Sequence, residues 1–331
     1  MSKTASERSM LQVGRVMRYV SSIVGRQSRF LVLLMMAGLI SIAKPVFLTP
    51  DNVLNLLRQA SLIFVLGAGQ TLVILTTGID LSMSSVAALS GVIMATLLHA
   101  GQPVVLSIVV GLAIGAVMGL INGLLITRVG LPPFVATFGM WMVGKGLTVW
   151  YIDGEVIWGF PQSFRALGAG RIGPVPSIII IGLLVFLIFH GILRYTTFGR
   201  SVYAIGASTP ASRVSGIRVK RILTIVYIIS GVMAAFGSML YISRLNSAKS
   251  DIGEGFELDS IAATLIGGTS FSGGVGSVGG TVIGALIMAV LRNALIIFGI
   301  SPLWQSLVTG TVVIAALTAD EFIRRRVIGL S

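Results

Sequence analysis

Cysteine is absent from the 331 residues, which removes disulfides and thiolate metal sites from consideration. Charge is scarce: 11 % of residues are charged, where a soluble domain carries about 25 %. Only two histidines occur, His99 and His190, each near the end of an apolar run, a place for interfacial side chains rather than metal ligands. Acids are the rarer sign, 11 against 24 Lys and Arg, for a net charge of +13. In a soluble protein that excess would suggest nucleic acid. In a chain with so few charges the positive-inside rule accounts for it, and no nucleic-acid partner is expected. The apolar runs hold no paired acids, no HExxH and no nucleophile–base arrangement, so nothing supports a membrane-embedded enzyme.

What is present is hydrophobic. The fraction is 55 % and the mean hydropathy is +0.97. Runs of around 20 apolar residues recur, each long enough to cross roughly 30 Å of hydrocarbon as a helix. They do not alternate as membrane β-strands do. The fold class is therefore an all-α polytopic membrane protein in contact with lipid. Helices are expected near 30–47, 54–76, 82–99, 104–126, 132–151, 176–193, 222–243, 258–268, 277–298 and 303–319, the eighth too short to cross alone. Ten spans place both termini on one side. The run after the basic N-terminus lacks a clear small-x-small cleavage site, so the first helix is read as retained.

Charge then orients the chain. Residues 1–29 hold Lys3, Arg8, Arg15, Arg18, Arg26 and Arg29 against Glu7 alone. Residues 194–221 hold six bases and no acid, and Arg324, Arg325 and Arg326 lie near the end beside Asp320 and Glu321. These three stretches are expected to be cytoplasmic. Residues 244–259 carry Arg244 and Lys249 against Asp251, Glu254, Glu257 and Asp259, and should face outward. The division that follows is a basic segment 1–29, one transmembrane domain 30–320 and a tail 321–331.

The segment 194–221 contains a punctuated short helix. Thr209 is an N-cap candidate with Ser208 as the alternative. Pro210 suits the first turn, Ala211, Ser212, Arg213 and Val214 follow, and Gly216 suits the position just past the end. A helix of about 9 Å is unstable alone and must dock. Composition leaves two readings open, a turn lying on the membrane and a lever seated in a partner.

Asp80, in TTGIDLSMSS, interrupts two apolar runs. Gly78 can end the helix before it, and the Asp80 carboxylate can cap the next by accepting from amides two or three residues on. Ser82, Ser84 and Ser85 add polar groups. Capping alone and capping beside a substrate path both remain open, since broken transporter helices sit near such paths. Glycines 111, 115, 119 and 123 line one face of the fourth run for close helix packing, with Asn122 beside them to bond across. GGTSFSGGVGSVGG, which begins with Gly267, Gly268 and Thr269, is too rich in glycine for a helix and is expected to be a break between half-helices that lines a cavity or is buried in protein. With the break at Asp80 it hints at an inverted repeat. Two motif matches fail. GMWMVGKG has Gly146 where a phosphate loop needs Ser or Thr, and GVGSVG has no strand before it. The chain thus shows no nucleotide site, cofactor site or metal site of its own. A secondary transporter using Asp80 as its coupling carboxylate is a competing class, but neither it nor a passive facilitator needs the capped 209–216 helix.

TLVILTTGIDLSMSS, RYTTFGRSVYAIGASTPASRVSGIRVKR and GFELDSIAATLIGGTSFSGG, in this order and spacing, resemble the permease subunit of bacterial ribose-type (carbohydrate) ABC importers. The resemblance runs from about 30 to 320. It implies a vitamin-B12-importer-like (type II ABC importer) fold in the inner membrane, dimerised with a second copy or a paralogue. It also implies a cytoplasmic ABC ATPase that holds Ser208 to Gly216 in a groove, and a periplasmic sugar-binding protein that docks on Arg244, Lys249, Asp251, Glu254 and Glu257. The path or gate would involve Gly78, Asp80, Ser82, Asn122, Gly267, Gly268 and Thr269. One departure is SMSS after GIDL, where the family more often has a glycine soon after the serine.

Overall fold

The computed structural model describes residues 29–301 and scattered positions from 304 to 318. The basic stretch before Arg29, the tail 321–331 and most of the run 303–319 lie outside the described residues. In chain order the elements are α1 (Arg29–Ala43), α2 (Pro50–Leu75), α3 (Met83–His99), α4 (Val104–Leu124), α5 (Pro133–Ile152), β1 (Ile157–Trp158), α6 (Gln162–Gly168), β2 (Arg171–Ile172), β3 (Val175–Pro176), α7 (Ser177–Tyr195), α8 (Thr197–Ala207), α9 (Thr209–Val214), α10 (Val219–Leu245), β4 (Ser247–Ala248), α11 (Phe256–Ile266) and α12 (Val278–Ile297).

Among the described residues, five helices are long and apolar enough to cross a membrane: α2, α4 with the π turn that carries it to Val129, α7, α10 and α12. α3 has 17 residues and α11 has 11, about 16 Å at 1.5 Å per residue. α5 has the length, but Lys145, Trp141, Trp150 and Tyr151 dilute its hydropathy.

The most apolar 18-residue window of α2 is 78 % buried and that of α4 only 28 %, so α2 is central and α4 peripheral. α4, α5 and α7 leave Val105, Val109, Val117, Val143, Leu183 and Leu187 exposed. Helix α10 runs beside α2, α3 and α4, and its contact with α4 is the most extensive among the described helices. The glycine spacing makes that contact. A Cβ at Gly115 would strike the Gly231 carbonyl of α10, and one at Gly119 the Tyr227 carbonyl. At Gly123 it would come within 2.9 Å of the Thr224 Cα. Gly111 faces the side chain of Met94 on α3.

The connections after α5 and α10 are more ordered than hydropathy suggests. β1 pairs antiparallel with β4, Ile157 opposite Ala248. α6 is fastened to the end of α10, because Ser243 Oγ donates to the Phe164 carbonyl at 2.6 Å and accepts from the Gly168 amide at 2.8 Å.

Candidate functional site

Helix α2 ends at a left-handed residue. The Thr77 amide donates to the Ile74 carbonyl at 2.9 Å and the Gly78 amide to the Val73 carbonyl at 3.0 Å, which is a Schellman closure. The left-handed residue is Thr77 (φ +63), not Gly78 as the sequence suggests. Gly78 is needed for room instead, since a Cβ there would meet the Tyr227 hydroxyl. Gly216 (φ +81) after α9 and Gly268 (φ +86) after α11 close their helices in the same way.

Asp80, the expected cap of α3, stands two residues before the residue that flanks the helix. The residue flanking α3 is Ser82. The Asp80 Oδ1 accepts from the Ser82 amide at 2.9 Å and from the Ser82 hydroxyl at 2.6 Å. Its Oδ2 accepts from Ser230 Oγ of α10 at 2.6 Å. Asn122 of α4 donates from Nδ2 to Ser82 Oγ at 2.8 Å, so it bonds to the head of α3 rather than across the glycine ridge to α10. One buried network therefore joins α3, α4 and α10 at a carboxylate with 1 % exposure. Ser230 was invisible to sequence reasoning, since a serine within an apolar helix carries no local signal. Ser84 instead receives the indole N–H of Trp141, and Ser85 donates to the Ser82 carbonyl.

The glycine-rich stretch follows half-helix α11, but α12 beyond it is full length, so it is flanked by one half-helix rather than two. Gly267 packs against the Gly280 carbonyl, and Arg29 donates to the Gly267 carbonyl at 2.8 Å. Thr269 is 2 % exposed. These three residues do not join the Asp80 network. The later glycines return to the end of α2, where the Gly274 amide donates to the Leu75 carbonyl at 2.9 Å.

The segment 194–221 holds two helices, not one. α8 is capped by Thr196, which accepts from the Gly199 amide at 3.1 Å. α9 is capped by Ser208, which accepts from the Ala211 amide at 3.3 Å. Thr209, the first choice from sequence, instead donates back to the Ile205 carbonyl at 3.1 Å. Ser212 is buried, while Pro210, Ala211, Arg213 and Val214 are exposed and Val214 is 91 % so. A short helix with an exposed valine and arginine, held from behind by α8, presents a face to solvent.

On the opposite end, Lys249 Nζ pairs with Asp251 at 2.8 Å, and this bond raises the Lys249 pKa above the ordinary lysine value. Lys145 lies 3.6 Å from Glu254 and stacks over Trp141. Arg244 is half-buried, and Glu257 is half-buried in the first turn of α11. Arg292, for which the sequence offers no partner, donates to Asp259 Oδ1 at 2.6 Å and ties α12 to α11. Arg58 donates to Asn55 Oδ1 at 2.6 Å.

Comparison with known proteins bears on this arrangement. Residues 52–317 match a family model described as the permease component of a branched-chain amino acid transport system. The ribose import permease of Bacillus subtilis strain 168 is 41 % identical over 94 % of this chain and 97 % of its own length. The ribose import permease of Escherichia coli strain K12 is 37 % identical over 89 % of this chain and 93 % of its own. The galactose/methyl galactoside import permease of the same strain is 37 % identical over 88 % and 93 %. No solved structure matches. Since the family model spans most of the chain and full-length relatives share more than a third of its residues, the protein belongs to this family of transport-system permease components.

Proposed function

We propose that this protein is the transmembrane permease subunit of an ATP-driven importer that carries a monosaccharide, a ribose-like pentose, a hexose or a related polyol, across the bacterial inner membrane. The observation that carries this reading is full-length similarity to permeases named for ribose, galactose and allose. The family description names branched-chain amino acids instead. The sugar reading is preferred because a neutral polyol needs hydrogen-bonding groups but no ion pair, and within the described spans Lys145 and Arg292 already face acids while Arg58 is bonded to Asn55.

The rest of the reading is built on that. The chain crosses the membrane ten times within a single domain 30–320, in a vitamin-B12-importer-like fold, with the segments 1–29 and 321–331 in the cytoplasm. Two permease chains enclose the path. A periplasmic binding protein delivers sugar to the face bearing Arg244, Lys249, Asp251, Glu254 and Glu257. A cytoplasmic ABC ATPase receives α9, from Ser208 to Gly216, and its closure on ATP moves the membrane helices by alternating access. Gly78, Asp80, Ser82, Asn122, Gly267, Gly268 and Thr269 shape the moving parts. This chain itself hydrolyses nothing. Secondary transport is disfavoured because Asp80 is spent on three hydrogen bonds within the protein.

The test is a pull-down of the tagged protein from its native host beside an Arg213→Glu control. A soluble ATPase recovered with the wild type and lost with the control supports the reading. No ATPase, with uptake that collapses under a proton or sodium ionophore at constant ATP, overturns it.

A further inference from the structure

α8 has no assigned task if α9 alone is the docking element, yet it is the better-anchored helix of the two. Val202 and Ile205 are fully buried on one side of it. Near its C-terminus the backbone meets two other breaks at once. The space where Gly206 would carry a Cβ is filled by the Leu75 carbonyl of α2 and the Gly274 amide. That amide and that carbonyl are hydrogen bonded to each other. One turn earlier the Tyr203 hydroxyl donates to the Gly276 carbonyl at 2.9 Å. Burial pushes the Tyr203 pKa above the ordinary tyrosine value. Gly273 lies against Thr77, three residues before Asp80. Three backbones thus touch with no side chain between them, and such a contact transmits displacement because no flexible group can absorb it.

We infer that Tyr203 and Gly206 are positioning residues for transport, carrying motion of the α8–α9 pair through the 273–276 glycines into the end of α2 and the Asp80 break. This rests on the proposed coupling to an ATPase.

The experiment uses the assembled complex in lipid nanodiscs and proteoliposomes. Hydrogen exchange is followed with and without a non-hydrolysable ATP analogue, and ATP hydrolysed is counted per sugar imported. In the wild type, peptides covering 197–207 and 270–277 change protection together on adding the analogue. In Tyr203→Phe the ATPase still co-purifies and 197–207 still responds. The response of 270–277 is lost, and ATP spent per sugar rises roughly fivefold, as expected for loss of a modest coupling free energy. Gly206→Ala, which forces the Leu75 carbonyl and Gly274 amide apart, gives the same pair of effects. Wild-type 270–277 peptides that ignore the analogue overturn the inference without any variant. So does a Tyr203→Phe complex with an unaltered ratio and exchange response. Failure of the wild type to retain an ATPase is a separate result, and overturns the proposed function along with it.

Discussion

Replacing Asp80 by Asn tests whether the charge at the α2–α3 break is used. The carboxylate accepts three hydrogen bonds, two from Ser82 and one from Ser230. Asn keeps one oxygen, which can hold the Ser82 amide and hydroxyl. The Ser230 hydroxyl must then turn and accept from the new amide nitrogen. Bonds to a charged group contribute about 1.5–3 kcal/mol and neutral ones about 0.5–1.5, so three exchanges forgo roughly 2–4 kcal/mol. The neutral side chain avoids part of the burial cost of the carboxylate, which brings the expected net loss to about 1–2 kcal/mol. Thermal unfolding in detergent should show this loss, and a cycle with Ser230→Ala should return a coupling of about 1 kcal/mol. The variant is expected to insert normally while sugar uptake into proteoliposomes falls. Asp80→Leu, which strands all three donors, should melt lower still. Wild-type stability and wild-type uptake for Asp80→Asn would refute the reasoning, and lowered stability with full uptake would leave Asp80 only its structural role.

Two further substitutions probe the packing. Gly119→Ala drives a Cβ into the Tyr227 carbonyl and should cost about 1–3 kcal/mol. Gly111→Ala meets only the flexible Met94 side chain and should cost less, so equal melting points for the pair would contradict the close α4–α10 approach. Arg292→Gln leaves Asp259, 3 % exposed, without its cation. Because the arginine is itself 37 % exposed, solvent screens the pair and the expected loss is only about 1–2 kcal/mol. Adding Asp259→Asn should restore most of the melting temperature.

Five of the expected spans, α2, α4, α7, α10 and α12, were legible because crossing a bilayer demands long apolar runs. The glycine ridge was legible because its spacing of four is a local property of one helix. α8 was not, since Gly199 and Gly206 lower its helix propensity and its stability comes from burying Val202 and Ile205 against the rest of the fold. α6 was missed for the same kind of reason, as a seven-residue helix there is tied down by bonds from Ser243 of α10 and from Ser177. At the α2 terminus, intrinsic preference pointed to Gly78 for the left-handed position. Contact with Tyr227 determines where the glycine must stand, and Thr77 takes the strained conformation. Within the site, Asp80 announced itself as an acid in an apolar setting. Its partner Ser230 and the Arg292–Asp259 pair are relations across the fold, which no stretch of sequence states.

Those long separations have a consequence for biogenesis. Asp80 and Ser230 are 150 positions apart. At about 5–20 residues per second, synthesis leaves Asp80 waiting roughly 8–30 s for its partner. Gly115, Gly119 and Gly123 of α4 likewise wait for Gly231, Tyr227 and Thr224 of α10, and α6, already bonded to Ser177, gains its tie to α10 only when Ser243 appears. Bonds that need no part of α10 are available earlier, Asn122–Ser82 at 40 positions apart and Trp141–Ser84 at 57. A nascent chain stopped short of residue 219 therefore presents a membrane carboxylate and a bare ridge of glycines to the insertion machinery. The arrival of α10 is the event that turns inserted segments into a folded permease and removes the marks by which quality control would recognise an unfinished one.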